Sequence, residues 1–235
     1  MGRGLLGLLI LLILSPATNA QSDQFKRQRK QMVTKQLENR GIDDEKVLEA
    51  FMNVKRHEFV LPEYRGAAYR DSPLPIEEGQ TISQPYIVAY MTQALDLEKD
   101  DKVLEVGTGS GYQAAILAEI VDSVYTIEIF ETLGKKAQKV FDEQGYNNIH
   151  AKIGDGYLGW PEHAPFDAVI VTASPTHIPD PLKNQLAEGG RMIIPVGRDR
   201  VQELILLEKK RGKLKEKSVL PVRFVPLISG EGDKY

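Results

Sequence analysis

The sequence predicts an α/β protein with a doubly wound, mostly parallel sheet, helices on both faces and an N-terminal helical extension. From residue 102 onward, short apolar runs alternate with amphipathic stretches, as they do in successive βα units. The runs at 103–106 (VLEV) and 166–173 (FDAVIVTA) are apolar almost throughout, which is typical of parallel strands buried on both faces. A glycine-rich turn joins the first of these runs to a helix-like stretch, the arrangement that opens many nucleotide-binding α/β folds.

Hydrophobic spacing, caps and glycines place the individual elements. Strands are predicted over residues 103–106, 123–128, 148–153, 166–173 and 191–197. Helices are predicted over residues 24–40, 43–53, 85–95, 111–120, 131–144 and 180–187. The segment 55–82 is predicted to be irregular, and Gly189-Gly190 is predicted to form a turn. Residues 201–210 and 213–220 alternate with period two around Arg211-Gly212 and predict a hairpin near the sheet edge.

Composition excludes several classes of function. The 235 residues, 42% hydrophobic, suffice for one domain with a substantial core. A formal net charge of -3 disfavours nucleic acid as a partner, because phosphate binding needs a clustered positive field. The absence of cysteine excludes disulfides, thiolate metal sites and a thiol nucleophile. Four scattered histidines without an HExxH pair give no reason to expect a metal site.

The first twenty residues are predicted to lie outside the fold. Arg3, the apolar run 5–14 and the small residues 18–20 form the pattern of a secretory signal peptide. The apolar run is too short for a stable membrane span. The alternative interpretation is a misassigned start upstream of a cytosolic enzyme. We therefore divide the chain into a signal-peptide-like segment (1–20), an N-terminal helical or irregular extension (21–82) and a ligand-binding core (83–235), with residues 21–235 forming one compact domain.

The glycine loop and two acidic residues predict a nucleoside site at the carboxyl edge of the sheet. Gly107 to Gly111 follow the first strand and open a helix, where glycines allow the backbone to approach a ligand. The spacing is G-x-G-x-G with Tyr112 next, so a dinucleotide pyrophosphate is disfavoured. Glu128 ends the second strand about twenty residues on and is placed to accept both ribose hydroxyls. Asp155, between two glycines after the third strand, is placed at the same edge to bind an adenine amino group.

Several motifs in order resemble those of S-adenosyl-L-methionine-dependent methyltransferases. They are VLEVGTGSG, the acidic strand end at Glu128, GDG, FDAVIVTA and LAEGGRMIIPVG. Enzymes that methylate base amines carry Asn or Asp before Pro-Pro and an aromatic residue, whereas residues 172–175 read Thr-Ala-Ser-Pro. The resemblance implies a Rossmann-like methyltransferase sheet, with S-adenosyl-L-methionine as co-substrate and no metal. The residues that it places on the methyl donor are Glu105, Gly107, Thr108, Gly109, Ser110, Gly111, Glu128, Asp155 and Gly156.

A narrower resemblance concerns the segment 79–95, GQTISQPYIVAYMTQAL, which is similar to the N-terminal signature of protein-L-isoaspartate (D-aspartate) O-methyltransferases. It continues through TASPTHIP and VRFVPL and covers about residues 26–228. The resemblance implies methyl transfer to the free carboxylate of isoaspartyl or D-aspartyl residues in age-damaged proteins. The methyl ester then collapses to a succinimide that can reopen as normal aspartate. The resemblance makes Ser83 the active-site residue and places Thr81, Ile82, Gln84 and Val88 on the substrate.

Some alternatives remain open on the sequence. Ser83 precedes the helix 85–95 and has the simpler interpretation of a helix cap. A methyltransferase of small-molecule carboxylates or hydroxyls, or a non-enzymatic nucleotide-binding module, would share the glycine loop. We expect a monomer. Location is contested: the first twenty residues favour export, whereas the methyl donor is made in the cytosol and the basic cluster at 26–30 resists translocation. We therefore expect a cytoplasmic enzyme, with an exported, periplasmic one as the alternative.

Overall fold

The computed structural model of the chain describes residues 16–198, 201–230 and 232–235. Most of the signal-peptide-like segment, residues 1–15, lies outside the described residues. Residues 16–20 form the beginning of the first helix. Among the described residues, no helix is both long enough and apolar enough to cross a membrane.

One seven-stranded sheet organises the molecule. A separate antiparallel pair, β1 (Leu74–Pro75) with β2 (Thr81–Ile82), precedes it in the chain. The sheet itself contains β3 (Lys102–Val106), β4 (Ser123–Glu128), β5 (Ile149–Ile153), β6 (Phe166–Val171), β7 (Leu186–Arg198), β8 (Val201–Lys210) and β9 (Lys213–Val222). Its spatial order is β5-β4-β3-β6-β7-β8-β9, with the first five strands parallel and the last two antiparallel. The predicted doubly wound, mostly parallel sheet and its edge hairpin are confirmed.

Among the described residues, six α-helices pack around this sheet, and all but the first lie close to their predicted bounds. They are α1 (Pro16–Gln31), α2 (Glu45–Asn53), α3 (Pro85–Ala94), α4 (Tyr112–Ala118), α5 (Glu131–Gln144) and α6 (Asp180–Gln185). Asp44 caps α2 by accepting the backbone N–H groups of Lys46 and Val47. The αL conformation of Gly145 ends α5.

Both faces of the parallel strands are buried, as their sequences predict. Val103 belongs to a core cluster that also holds residues of the N-terminal helices and of α3, α4 and α5. Its neighbours Leu104 and Val106 belong to the cluster on the opposite face, with Leu182 of α6. The first cluster includes both Phe25 and residues of the sheet, so the N-terminal extension packs against the core region 83–235.

The N-terminal helix differs from the prediction of a single helix over 24–40. It starts at Pro16, which is suited to a first helical turn, and residues 32–37 widen into a π-helix before a 3-10 turn over 38–40. The wider turns bury Met32, Val33 and Leu37 together. Gly41, at φ 87°, ends the helix at the predicted position.

Two further predictions need correction. The predicted turn at Gly189-Gly190 lies inside β7, which begins at Leu186 and bulges against β6, because residues 187–190 of β7 lie opposite the single residue Asp167 of β6. The segment 55–82 is more ordered than predicted. It holds 3-10 helices over 56–58 and 62–67 and the β1–β2 pair. Residues of this segment are buried in the core cluster, which orders it although its sequence has no helical or strand periodicity.

Candidate active site

The glycine loop lies at the carboxyl end of β3, where the parallel strands open. Gly107, Gly109 and Gly111 all have positive φ values, at 97°, 52° and 86°. A Cβ atom on Gly107 would lie 2.4 Å from the hydroxyl oxygen of Thr172 at the end of β6. That hydroxyl donates to the Gly107 carbonyl at 2.6 Å. Glycine is therefore required here both for backbone conformation and for close approach of two strand ends.

Glu128, the last residue of β4, faces the glycine loop across the edge of the sheet. Its carboxylate accepts the backbone N–H of Gly109 at 2.7 Å and that of Phe130 at 2.9 Å. The residue is only 5% exposed, and this burial raises the pKa of its carboxyl group above the usual value. The hydrogen bonds from the two amides partly offset that rise. Each oxygen holds one backbone amide and keeps a further lone pair for a ligand hydroxyl.

Glu105 supports the glycine loop from beneath and is absent from the lining of the pocket. The Thr126 hydroxyl donates to its carboxylate at 2.5 Å, and the Thr126 and Thr108 hydroxyls are 2.6 Å apart. Glu105 is fully buried, and burial raises the pKa of its carboxyl group to about 8. A neutral carboxyl at pH 7 thus links two neighbouring strands to the loop.

This pKa predicts a specific pH dependence of stability. The unfolded carboxyl has a pKa near 4.5, so between about pH 4.5 and 8 the unfolded chain loses a proton that the folded chain retains. The contribution of Glu105 to the free energy of unfolding is therefore full below pH 4.5 and is lost as the pH rises through 8, at no more than about 1.4 kcal/mol per pH unit. Glu105→Gln should abolish this pH-dependent part of the free energy of unfolding. Urea unfolding of the unchanged and the variant protein at several pH values checks it. An equal dependence of the unfolding free energy on pH in both proteins would contradict a raised pKa of Glu105.

Ser83 lies two residues before α3, and its hydroxyl makes no hydrogen bond with any described residue. The N-cap of α3 is Gln84, without a side-chain cap bond. The carboxylate of Asp71 caps the helix instead, because it accepts the backbone N–H of Tyr86 at 3.1 Å and the Gln84 side-chain amide at 2.7 Å. Arg40 donates to the same carboxylate at 2.5 Å. The simple-cap interpretation of Ser83 is therefore wrong, and its hydroxyl is available to a ligand.

A buried arginine fixes the backbone at Ser83. Arg56 is fully buried and donates to the carbonyl of Ser83 at 2.9 Å and to that of Ala68 at 2.8 Å. Its guanidinium stacks over the ring of Tyr112, 4.7 Å from the centroid. Burial lowers the pKa of Arg56 only to about 10, so the group stays charged at neutral pH. Nothing in the local sequence marked Arg56 or Asp71 as residues that hold Ser83.

Asp155 follows β5 and is engaged by the C-terminal residue. One carboxylate oxygen accepts the backbone N–H of Tyr157 at 2.9 Å, and the other accepts the hydroxyl of Tyr235. The rings of Tyr157 and Tyr235 stack with centroids 4.0 Å apart. Asp155 itself does not line the pocket, whereas the next residue, Gly156, does. A Cβ atom on Gly156 would lie 2.4 Å from Val106, so only glycine lets this strand end approach β3 so closely.

One pocket brings most of the predicted site residues together. It is lined by Thr81, Ile82, Ser83, Val88, Gly107, Thr108, Gly109, Ser110, Glu128 and Gly156. Glu105, Gly111 and Asp155 are not part of this lining, and Gln84 lines an adjoining opening. The lining also includes Phe130, Leu133, Thr172 and the segment 225–228, to which no role was assigned from the sequence. The segment 225–228 reaches the pocket from the far end of the chain, so no local spacing could have found it.

The described part of the chain holds no group of three histidine, aspartate or glutamate side chains near enough to share a metal ion.

Comparison with known proteins identifies a family over nearly the whole chain. Residues 27–232 match the family model of protein-L-isoaspartate(D-aspartate) O-methyltransferases. A protein-L-isoaspartate O-methyltransferase of Opitutus terrae is 52% identical over 226 residues, which cover 95% of this chain and 97% of that protein. The enzyme of Gloeobacter violaceus is 52% identical over 197 residues, 83% of this chain and 96% of that protein.

Solved structures agree with the family model. One protein-L-isoaspartate O-methyltransferase superposes with a TM-score of 0.78 at 30% identity, covering 87% of this chain and 67% of that one. A structure described as the Plasmodium falciparum enzyme, in complex with S-adenosyl-L-homocysteine, has a TM-score of 0.74 at 26% identity and covers 86% of this chain and 97% of that one. The chain therefore belongs to the protein-L-isoaspartate(D-aspartate) O-methyltransferase family and is an S-adenosyl-L-methionine-dependent methyltransferase.

Proposed function

We propose that this chain methylates the free carboxylate of L-isoaspartyl and D-aspartyl residues in damaged proteins, and that Ser83 holds the acceptor carboxylate. The observation that carries this proposal is the pocket in which the glycine loop 107–110 and the Glu128 carboxylate meet the Ser83 hydroxyl, which bonds to no described residue. Family membership sets aside the alternatives of a small-molecule methyltransferase and a non-enzymatic nucleotide-binding module.

The residues present fit S-adenosyl-L-methionine. The close-packed glycines leave backbone at the pocket wall where a side chain would fill the space, and the Glu128 carboxylate faces that wall. We assign the ribose hydroxyls to Glu128, the adenine amino group to the region of Asp155 and Gly156, and the amino-acid part to the glycine loop, with Glu105 holding that loop in place. When bound, S-adenosyl-L-methionine supplies a methyl group carried on a sulfonium cation.

The acceptor end needs orientation more than acid–base chemistry. A side-chain carboxylate has a pKa near 4 and is already ionised at neutral pH, so no general base is required. Among the described lining residues, no histidine, lysine or aspartate offers itself as one. Ser83 donates its hydroxyl proton in a hydrogen bond to the acceptor oxygen. Thr81, Ile82 and Val88 shape the cavity around it and exclude water that would solvate the nucleophile. The side chain of Gln84 is held by its hydrogen bond to Asp71.

Matched peptides test the function directly. The full chain is incubated with radiolabelled S-adenosyl-L-methionine and with two peptides that differ only in holding isoaspartate or aspartate at one position. We expect base-labile label on the isoaspartyl peptide alone, because a methyl ester hydrolyses in base. Equal labelling of both peptides, or label on neither, would contradict the proposal.

We further propose that residues 21–235 act as one domain and as a monomer, without nucleic acid, in the cytoplasm. The continuous core between the N-terminal helices and the sheet supports the single domain. The cytosolic supply of the methyl donor supports the location, against the export signal suggested by residues 1–20.

Cell fractionation followed by N-terminal sequencing tests the location. We expect the enzyme in the cytosolic fraction. A mature chain that begins at Gln21 in an extracytoplasmic fraction would overturn the cytosolic proposal and require a source of methyl donor outside the cytosol.

A further inference from the structure

The active-site pocket continues into a second opening that faces solvent. The two share Thr81, Val225 and Pro226, so a chain bound at Ser83 has a direct path outward. The second opening has a volume of about 760 Å³, within the range of sites that enclose organic ligands. We call this opening the basic groove and define it by Thr81, Arg198, Arg223, Pro226 and Lys234.

Three positive side chains from separate parts of the chain meet in the basic groove. Arg198 ends β7, Arg223 follows β9, and Lys234 belongs to the C-terminal segment. All three are exposed, and none forms an ion pair with a described acidic residue. Within the described lining there is no aspartate or glutamate. The described lining therefore carries an excess of positive side chains, on a protein whose formal net charge is -3.

A third opening is lined by Ser83 itself and shares Thr81, Arg223 and Val225, among others, with the basic groove. It is lined by Pro73, Ile87, Pro221 and Val222 among others, and Arg223 is its one charged residue among those described. A polypeptide acceptor has two arms, one on each side of the residue that is methylated. Arg198 and Lys234 line only the basic groove, so the two openings differ in charge although Arg223 lines both.

We propose that the basic groove binds one arm of the acceptor polypeptide and selects acidic side chains there, so that acidic residues on one side of the isoaspartate favour methylation. This inference rests on the proposed function and specifies its substrate class. Charges of opposite sign across an exposed surface steer encounter and lower KM, with little effect on the chemical step. The preference should weaken at high salt, because the groove is open to solvent.

The test uses peptides of equal length with one central isoaspartate and two flanking residues changed to Glu, Ala or Lys, on the N-terminal or on the C-terminal side. For one side only, we expect KM at low salt to be about three- to tenfold lower with Glu than with Lys, the scale of a few exposed charge pairs, with kcat unchanged. The difference should shrink as salt rises. Glu and Lys peptides with equal KM on both sides would overturn the inference, and so would an equal gain from Glu on both sides.

Protein variants test whether the basic groove causes the preference for acidic flanking residues. The double variant Arg198→Glu/Lys234→Glu should abolish or invert the preference and leave the affinity for S-adenosyl-L-methionine unchanged. Lys213→Glu, at the exposed start of β9, is the control for a change of positive to negative charge outside the groove, and it should keep the preference. An equal loss in both variants would overturn the inference, because net charge alone would then explain the preference. If no isoaspartyl peptide is methylated, the proposed function fails; if all are methylated with equal KM, only this inference fails.

Discussion

Glu128→Ala is expected to weaken S-adenosyl-L-methionine binding by about 1.5–3 kcal/mol, the scale of hydrogen bonds to a charged group, or about ten- to 150-fold in Kd. The carboxylate is buried and already oriented by the amides of Gly109 and Phe130, so it meets a ribose without reorganisation. Its removal leaves those two N–H groups without their acceptor. Isothermal titration calorimetry measures the loss.

A matched control lies three residues along the chain. Glu131 is an exposed glutamate at the start of α5, paired with Lys135. Glu131→Ala should leave the affinity for S-adenosyl-L-methionine unchanged. An unaltered affinity in Glu128→Ala as well would remove Glu128 from the ribose site.

Ser83→Ala is expected to lower kcat on an isoaspartyl peptide by a factor of about 10 to 100, which corresponds to about 1.4–2.7 kcal/mol of lost transition-state stabilisation. The hydroxyl makes no hydrogen bond with a described residue, and Asp71 caps α3 in its place. Folding and S-adenosyl-L-methionine affinity should therefore stay near those of the unchanged protein. Steady-state kinetics, calorimetry and thermal unfolding on one preparation separate these effects.

Ser218→Ala removes a hydroxyl of the same kind from the remote strand β9, where Ser218 donates to Glu203, and should leave kcat unchanged. Full turnover in a folded Ser83→Ala protein would mean that Ser83 does not hold the acceptor. A loss of S-adenosyl-L-methionine affinity as large as the loss of kcat would instead place Ser83 on the donor.

The mostly parallel sheet and the place of the site were open to prediction because they depend on local signals. Apolar runs such as 103–106 and 166–171 can be buried on both faces only in a covered parallel sheet. The ends of such strands share one edge, which places the glycine loop and Glu128 together. The prediction of a turn at Gly189-Gly190 was wrong because tertiary pairing overrode a local signal. Glycine favours a turn locally, but the pairing of the flanking residues Leu186 and Arg191 with β6 keeps these glycines inside a bulged strand.

The sequence by itself determined the α/β class, the family resemblance and many of the residues that meet in the pocket, because strand burial, turn chemistry and the motif order are local properties of the chain. Only the tertiary structure decided what each residue is free to do. Arg56 and Asp71 precede Ser83 in the chain by 27 and 12 residues. Arg56 holds the Ser83 carbonyl and Asp71 caps α3, so no described residue engages the Ser83 hydroxyl. Likewise, the bond from Tyr235 to Asp155 and the meeting of Arg198, Arg223 and Lys234 join residues that no spacing relates. Such contacts follow from how the elements pack, and that packing is set by the whole core at once.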